Sequence, residues 1–88
     1  MIRLIDGSRM TTRAAAHDEL ARALELPEYY GRNLDALWDL TSAMQADAVL
    51  LHADAMLNDM GPYGEKLLNT LIEAAEKNPD FTLKIQHE

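Results

Sequence analysis

The apolar pattern of this chain predicts an α/β fold in two layers, a three-stranded parallel sheet with helices packed mainly on one face. Three short strand-like runs, Ile2 to Ile5, Ala48 to His52 and Phe81 to Ile85, are separated each time by two helical patterns. Strands separated by paired helices are most simply joined in parallel through right-handed crossovers. The last run also alternates Phe81, Leu83 and Ile85 with Thr82, Lys84 and Gln86, so one face of the sheet is expected to meet water.

Each element follows from local chemistry. Asp6-Gly7 is a turn dipeptide and stops the first strand. Thr11 or Thr12 can cap a helix whose apolar positions Ala16, Leu20, Ala23 and Leu24 share one face, ending before Pro27. Asn33 caps the next helix, in which Leu34, Leu37, Trp38 and Thr41 fall at i, i+3, i+4 and i+7 and form one buried stripe. After the strand ending at His52, Asp54 is expected to cap a short helix that stops at Gly61-Pro62. A longer helix from about Glu65 to Lys77 would bury Leu67, Leu68, Leu71, Ile72 and Ala75. Asn78-Pro79-Asp80 then turns the chain into the last strand. Met10, Met44, Met56 and Met60 are read as gap-fillers in a small core.

The 88 residues predict one domain, 1–88, with hydrophobic residues at 48%, enough for a core of its own. A net charge of −7 opposes direct binding to nucleic acid or an anionic membrane, since both are polyanions. A basic protein is the natural complement. The absence of Cys removes disulfides, thiolate catalysis and zinc–thiolate sites together. Met1-Ile2-Arg3-Leu4-Ile5-Asp6 runs straight into charge without a signal-like apolar stretch, so a soluble, cytoplasmic protein is expected.

Catalysis finds little support. His17, His52 and His87 fall on a helix, a strand and the terminus, and the sequence contains no Walker A, His-Glu-x-x-His or nucleophile-elbow pattern. Asp35 and Asp39 could be set against a glycosidic bond, but so short a chain leaves little room for a cleft and nothing beside them would raise one pKa selectively. No enzyme, metal or cofactor is therefore predicted.

Function is concentrated in Leu26-Pro27-Glu28-Tyr29-Tyr30-Gly31-Arg32-Asn33-Leu34-Asp35-Ala36-Leu37-Trp38-Asp39, which holds the single Trp and two of the three Tyr. Pro27, Gly31 and Asn33 place the tyrosines on a loop, and Asp35 and Asp39, four residues apart, face the same way. That pairing is locally unfavourable: like charges at i,i+4 repel, and Asp39 lies toward the helix C-terminus, where the macrodipole disfavours an anion. Unfavourable charge beside aromatic anchors points to a protein-binding face. Glu73, on the long helix, reads as solvent-facing and can pair with Lys77 at i,i+4.

Leu26 to Gly31 together with Asn33 to Asp39 resembles the signature of the barstar family, intracellular inhibitors of barnase-type ribonucleases. The resemblance implies a barstar-like fold and a partner-binding surface made of Tyr29, Tyr30, Gly31, Asn33, Asp35, Trp38, Asp39 and Glu73. It also implies that Asp39 takes the place of a substrate phosphate among the enzyme's Arg, Lys and His groups. The expected partner is a basic, extracellular-type ribonuclease similar to barnase, with the protein serving as its immunity protein. The alternative is an acidic interaction module of the same fold that binds another basic protein or toxin. Arg32, Met44 and a shortened segment after His52 depart from the family pattern and bear on which partner is recognised.

Overall fold

A computed structural model describes residues 1–88. Strand β1 (Ile2–Asp6) leads through a single 3-10 turn, Gly7–Arg9, to helix α1 (Arg13–Leu24) and helix α2 (Leu34–Thr41). Strand β2 (Ala46–Leu51), helix α3 (Ala53–Met60), helix α4 (Pro62–Lys77) and strand β3 (Phe81–Ile85) complete the chain. The sheet order is β1-β2-β3 with both pairings parallel, Ile5 opposite Leu50 and Leu50 opposite Ile85. This is the predicted α/β architecture.

The sheet is one-sided. Ile5, Ala48, Leu50 and Phe81 are buried with Leu20 of α1, Leu37 of α2, Met56 of α3, and Leu67 and Leu71 of α4. On the opposite face Ile2 and Leu4 stay 66% and 53% exposed, so no helix covers it there. Met10 and Met56 are fully buried, and Met44 and Met60 pack half-buried against the same core. Methionine's unbranched, adaptable chain suits such irregular gaps.

The caps explain most boundaries. Thr12 accepts a hydrogen bond from the Ala15 amide at 3.1 Å and starts α1. Asn33 accepts one from the Ala36 amide at 2.8 Å and starts α2. Three expectations shift. β2 ends at Leu51, because His52 turns left-handed (φ 54°) and occupies the N-cap position of α3 without a side-chain bond, leaving Asp54 in the first helical turn. α4 begins at Pro62 rather than near Glu65. Proline lacks the amide that the first turn could not use anyway, and Gly61 before it supplies the positive φ of 56°. On α4 the fully buried residues are Gly64, Leu67, Leu71 and Ala74, while Leu68, Ile72 and Ala75 are half-buried.

Gly7 is required where β1 turns toward α1. A Cβ there would lie 2.5 Å from the carbonyl oxygen of His52 and 2.6 Å from that of Leu51, closer than any side chain permits. The bare backbone lets the 3-10 turn pack against the end of β2, beside the start of α3.

Candidate protein-binding face

Residues 25–33 connect α1 to α2, and their geometry sorts the two tyrosines. The Tyr30 amide donates to the Pro27 carbonyl at 2.9 Å, closing a turn. Tyr29 is left 82% exposed, whereas Tyr30 is turned inward and only 6% exposed. This corrects the expectation that Tyr30 belongs to the exposed surface: its ring supports the loop from inside.

Tyr30 is held by a buried polar chain. Its hydroxyl lies 2.5 Å from Nδ1 of His17, and the Tyr63 hydroxyl lies 2.7 Å from Nε2 of the same ring. One ring nitrogen donates and the other accepts, so a single neutral imidazole ties the loop to α1 and α4. Burial pushes the His17 pKa down, reinforced by the nearby Arg32 and Arg13 charges against the opposing pull of Asp18. Burial likewise pushes the Tyr30 phenol up, keeping it protonated. The Arg13 guanidinium stacks 4.2 Å from the centroid of the Tyr63 ring and closes the outer end of the chain.

Arg32 is likewise engaged within the molecule. With φ at 56° it forms an ion pair with Asp18 and lies 3.4 Å from the Ala14 carbonyl oxygen, both on α1. Gly31 and Asn33 are exposed, and the Asn33 side chain serves both sides of the junction: Oδ1 caps α2 while Nδ2 donates to the Gly31 carbonyl at 3.2 Å. Its two hydrogen bonds fix where the helix starts relative to the loop.

Helix α2 is fixed at its other end too. Asn78, the residue capping α4, donates from Nδ2 to the carbonyls of Thr41 (3.1 Å) and Met44 (2.8 Å). The Thr41 oxygen is among the groups that a helix C-terminus leaves without a backbone partner, and the Met44 oxygen lies in the turn that leads from α2 to β2. Leu37 and Thr41 are buried, and the Thr41 hydroxyl donates back to the Leu37 carbonyl at 2.7 Å.

The buried stripe turns Asp35 and Asp39 outward, both exposed, beside half-buried Trp38. Lys77 of α4 lies 5.3 Å from the centroid of the Trp38 ring. The ion pair that i,i+4 spacing allows between Glu73 and Lys77 does not form: Lys77 turns to the indole face instead. Since Glu73 precedes Lys77 by one helical turn, the two share a side of α4, and exposed Glu73 lies on the flank facing α2. Tyr29, Asn33 and Asp35 thus come from the loop–α2 junction, Trp38 and Asp39 from the body of α2, and Glu73 from the adjoining helix.

The carboxylates on this face form no ion pair, although the Lys77 ammonium lies on the Trp38 ring beside them. Every ion pair of the protein lies elsewhere, joining Met1 to Asp47, Arg3 to Glu25, Arg9 to Asp6, Arg22 to Glu19, Arg32 to Asp18 and His87 to Asp54. Asp35, Asp39 and Glu73 have no cationic partner, and the last turn of α2 carries no base. No three His, Asp or Glu side chains come together in a way that could hold a metal ion. What the surface offers is fixed negative charge with an aromatic on either side.

His17, Tyr63 and Asn78 support this face and escaped the sequence reading. A polar residue on an apolar helix face was the available signal for His17; nothing local marked Tyr63, whose partner is 46 residues away.

Comparison with known proteins follows the same direction. The family model described as Barstar (barnase inhibitor) matches residues 1–87. A protein of Bacillus subtilis (strain 168) described as "Putative ribonuclease inhibitor YrdF" is 35% identical over 80 residues, covering 88% of each chain.

Proposed function

The chain belongs to the barstar family, whose members are inhibitors rather than enzymes, and from that premise we propose that it blocks the active site of a small basic ribonuclease with the Tyr29–Asp39 loop and helix. The observation that carries this reading is the pair Asp35 and Asp39: exposed, without a cationic partner, on a helix anchored at both ends by Asn33 and Asn78. An enzyme that cleaves phosphodiesters must line its cleft with cations, and carboxylates held at a fixed spacing occupy the positions that phosphates would take. Preorganisation matters because ordering a loop and its side chains on binding would subtract from affinity.

In this reading Tyr29 and Trp38 exclude water around the charged pairs, Asn33 and Gly31 follow the rim of the cleft, and Glu73 extends the acidic surface from α4. Tyr30 acts from beneath, by holding the loop. No cofactor and no covalent step are involved. The protein acts in the cytoplasm of the producing cell as its immunity protein.

Steady-state inhibition of a barnase-type ribonuclease tests the proposal. Competitive behaviour with RNA is expected, so apparent inhibition should be relieved by saturating substrate under rapid-equilibrium conditions. Inhibition that ignores substrate concentration overturns occlusion of the active site. Absence of inhibition across barnase-like enzymes, with tight binding to another basic protein, assigns the face to a different toxin.

A further inference from the structure

The two edges of the sheet are treated differently. In the backbone alternation of the parallel pairing, Ile2, Leu4 and Asp6 point their amides and carbonyls away from β2, as do Phe81, Leu83 and Ile85 at the other edge. Side chains of α1 close the β1 edge: Glu19 accepts from the Asp6 amide at 2.8 Å, and Arg22 reaches the Leu4 carbonyl oxygen at 3.4 Å. At the β3 edge the Phe81 amide is used by the Asn78 carbonyl, but the amides of Leu83 and Ile85 have no partner. Beside them Leu83 and Ile85 form a mainly apolar groove with Ile72 and Ala75 of α4, all four half-buried, which the exposed Glu76 borders.

We propose that the open β3 edge is a self-association surface, on which a second copy of this chain pairs antiparallel about a two-fold axis through Leu83. The register is self-complementary. Leu83 faces its own counterpart and Phe81 faces Ile85 of the second copy, so both free amides of each copy reach a carbonyl. The apolar seam continues into Ile72 and Ala75. On the open face Lys84 falls opposite Thr82 of the second copy, whose hydroxyl donates to Asp47 at 2.7 Å. Asp47 then lies two strand spacings from Lys84, about 10 Å between backbones, which the two side chains can span. The symmetry makes this pair twice, matching the unpaired lysine to a carboxylate.

The size of the contact sets its strength. A five-residue strand runs about 17 Å, and with the shortest dimension of the molecule at 20 Å the two copies bury roughly 700 Å² in total. That is small for a permanent dimer and suits a concentration-dependent one. The groove lies on the side of α4 facing β3, away from the flank that meets α2, so the dimer leaves both acidic faces free.

Sedimentation equilibrium of the full chain, from about 10 µM to about 1 mM, tests this together with amide exchange. The average mass should rise from 9.9 kDa toward twice that value. Exchange at Leu83 and Ile85 should slow as concentration rises, while the amide of Leu4 at the opposite edge stays unchanged. Lys84→Glu should stay monomeric, and adding Asp47→Lys should restore the dimer. A mass fixed at 9.9 kDa throughout, a dimer without protection of Leu83 and Ile85, or unchanged association of Lys84→Glu each overturns the proposal.

Discussion

Replacing Asp39 by Ala separates binding from folding. In the free protein Asp39 is exposed in the last turn of an eight-residue helix that has no base there, four residues after Asp35. Removing its charge relieves an i,i+4 repulsion of about 0.2–0.5 kcal/mol and a dipole clash at the low end of about 0.3–1 kcal/mol, since the site is solvated. Alanine also gains up to about 0.7 kcal/mol in helix propensity. The sum is near 1 kcal/mol in favour of the variant, or a rise in Tm of about 4–8 °C for a domain of this size. In the proposed complex the same change leaves the enzyme's cations buried without a partner. A loss above about 2 kcal/mol, roughly 30-fold in affinity, is expected, the general hot-spot range whose known examples include this family. Thermal unfolding followed by circular dichroism and inhibition titrations read the two effects independently. A Tm lowered by several degrees with inhibition unchanged would make Asp39 a structural residue and refute the proposed face.

Arg32→Glu should speed association with a basic enzyme at low salt with little change in dissociation, in the steering regime to which the barnase–barstar pair belongs; stopped-flow rates that ignore both salt and the substitution would end that argument. The same variant loses the ion pair to Asp18, so a stability loss of a few tenths of a kcal/mol should accompany it. Asn78→Ala leaves the Thr41 and Met44 carbonyls without their donor and should cost about 1–3 kcal/mol by denaturant midpoint. It should also weaken inhibition, because the end of α2 is no longer fixed; unaltered inhibition would show that the anchor is unnecessary. His17, whose folded pKa lies below its ordinary 6.5, makes the unfolded chain the better proton acceptor as pH falls. Its contribution to stability is therefore complete above about pH 6.5 and is lost as pH drops toward the folded pKa. The lowered pKa values of Asp6, bonded by Ser8, and of Glu19, where Arg22 and the Asp6 amide outweigh burial, act in the same direction below the carboxylate range near 4.5. His17→Gln should flatten the midpoint-versus-pH curve below 6.5 while leaving the lower arm; parallel curves would refute the assignment.

The fold was legible because its signals are local. Thr12 and Asn33 are side-chain caps three residues from the amides they bind, and the buried stripes of α1 and α2 follow helical spacing. Errors arose where backbone conformation overrode residue type: His52 adopts a left-handed turn with no glycine to announce it, and Pro62, which follows the expected end of α3, also starts α4 three residues before the start expected near Glu65. The charged and aromatic residues of the face were visible in one continuous stretch, yet their sorting was not. Tyr29 and Tyr30 are adjacent and chemically identical; the Pro27 turn and a histidine thirteen residues back decide which one faces water.

That sorting also shows how an unfavourable surface persists. None of the bonds that hold α2 involves the Asp35 or Asp39 side chains: its start is set by Asn33, its end by Asn78, and its packing by Leu37 and Thr41. The loop before it is held by His17 through Tyr30, with Tyr63 on the ring's far nitrogen. Asp35 and Asp39 are thus free of any structural duty and can carry repulsion that a lone helix of eight residues, already too short to be stable in water, would not survive. The energy that keeps them in place comes from buried residues on α1, α4 and the sheet. Substitutions at Asp35 or Asp39 should accordingly alter partner choice without unfolding the domain, whereas substitutions at Asn33, Asn78 or His17 should alter both.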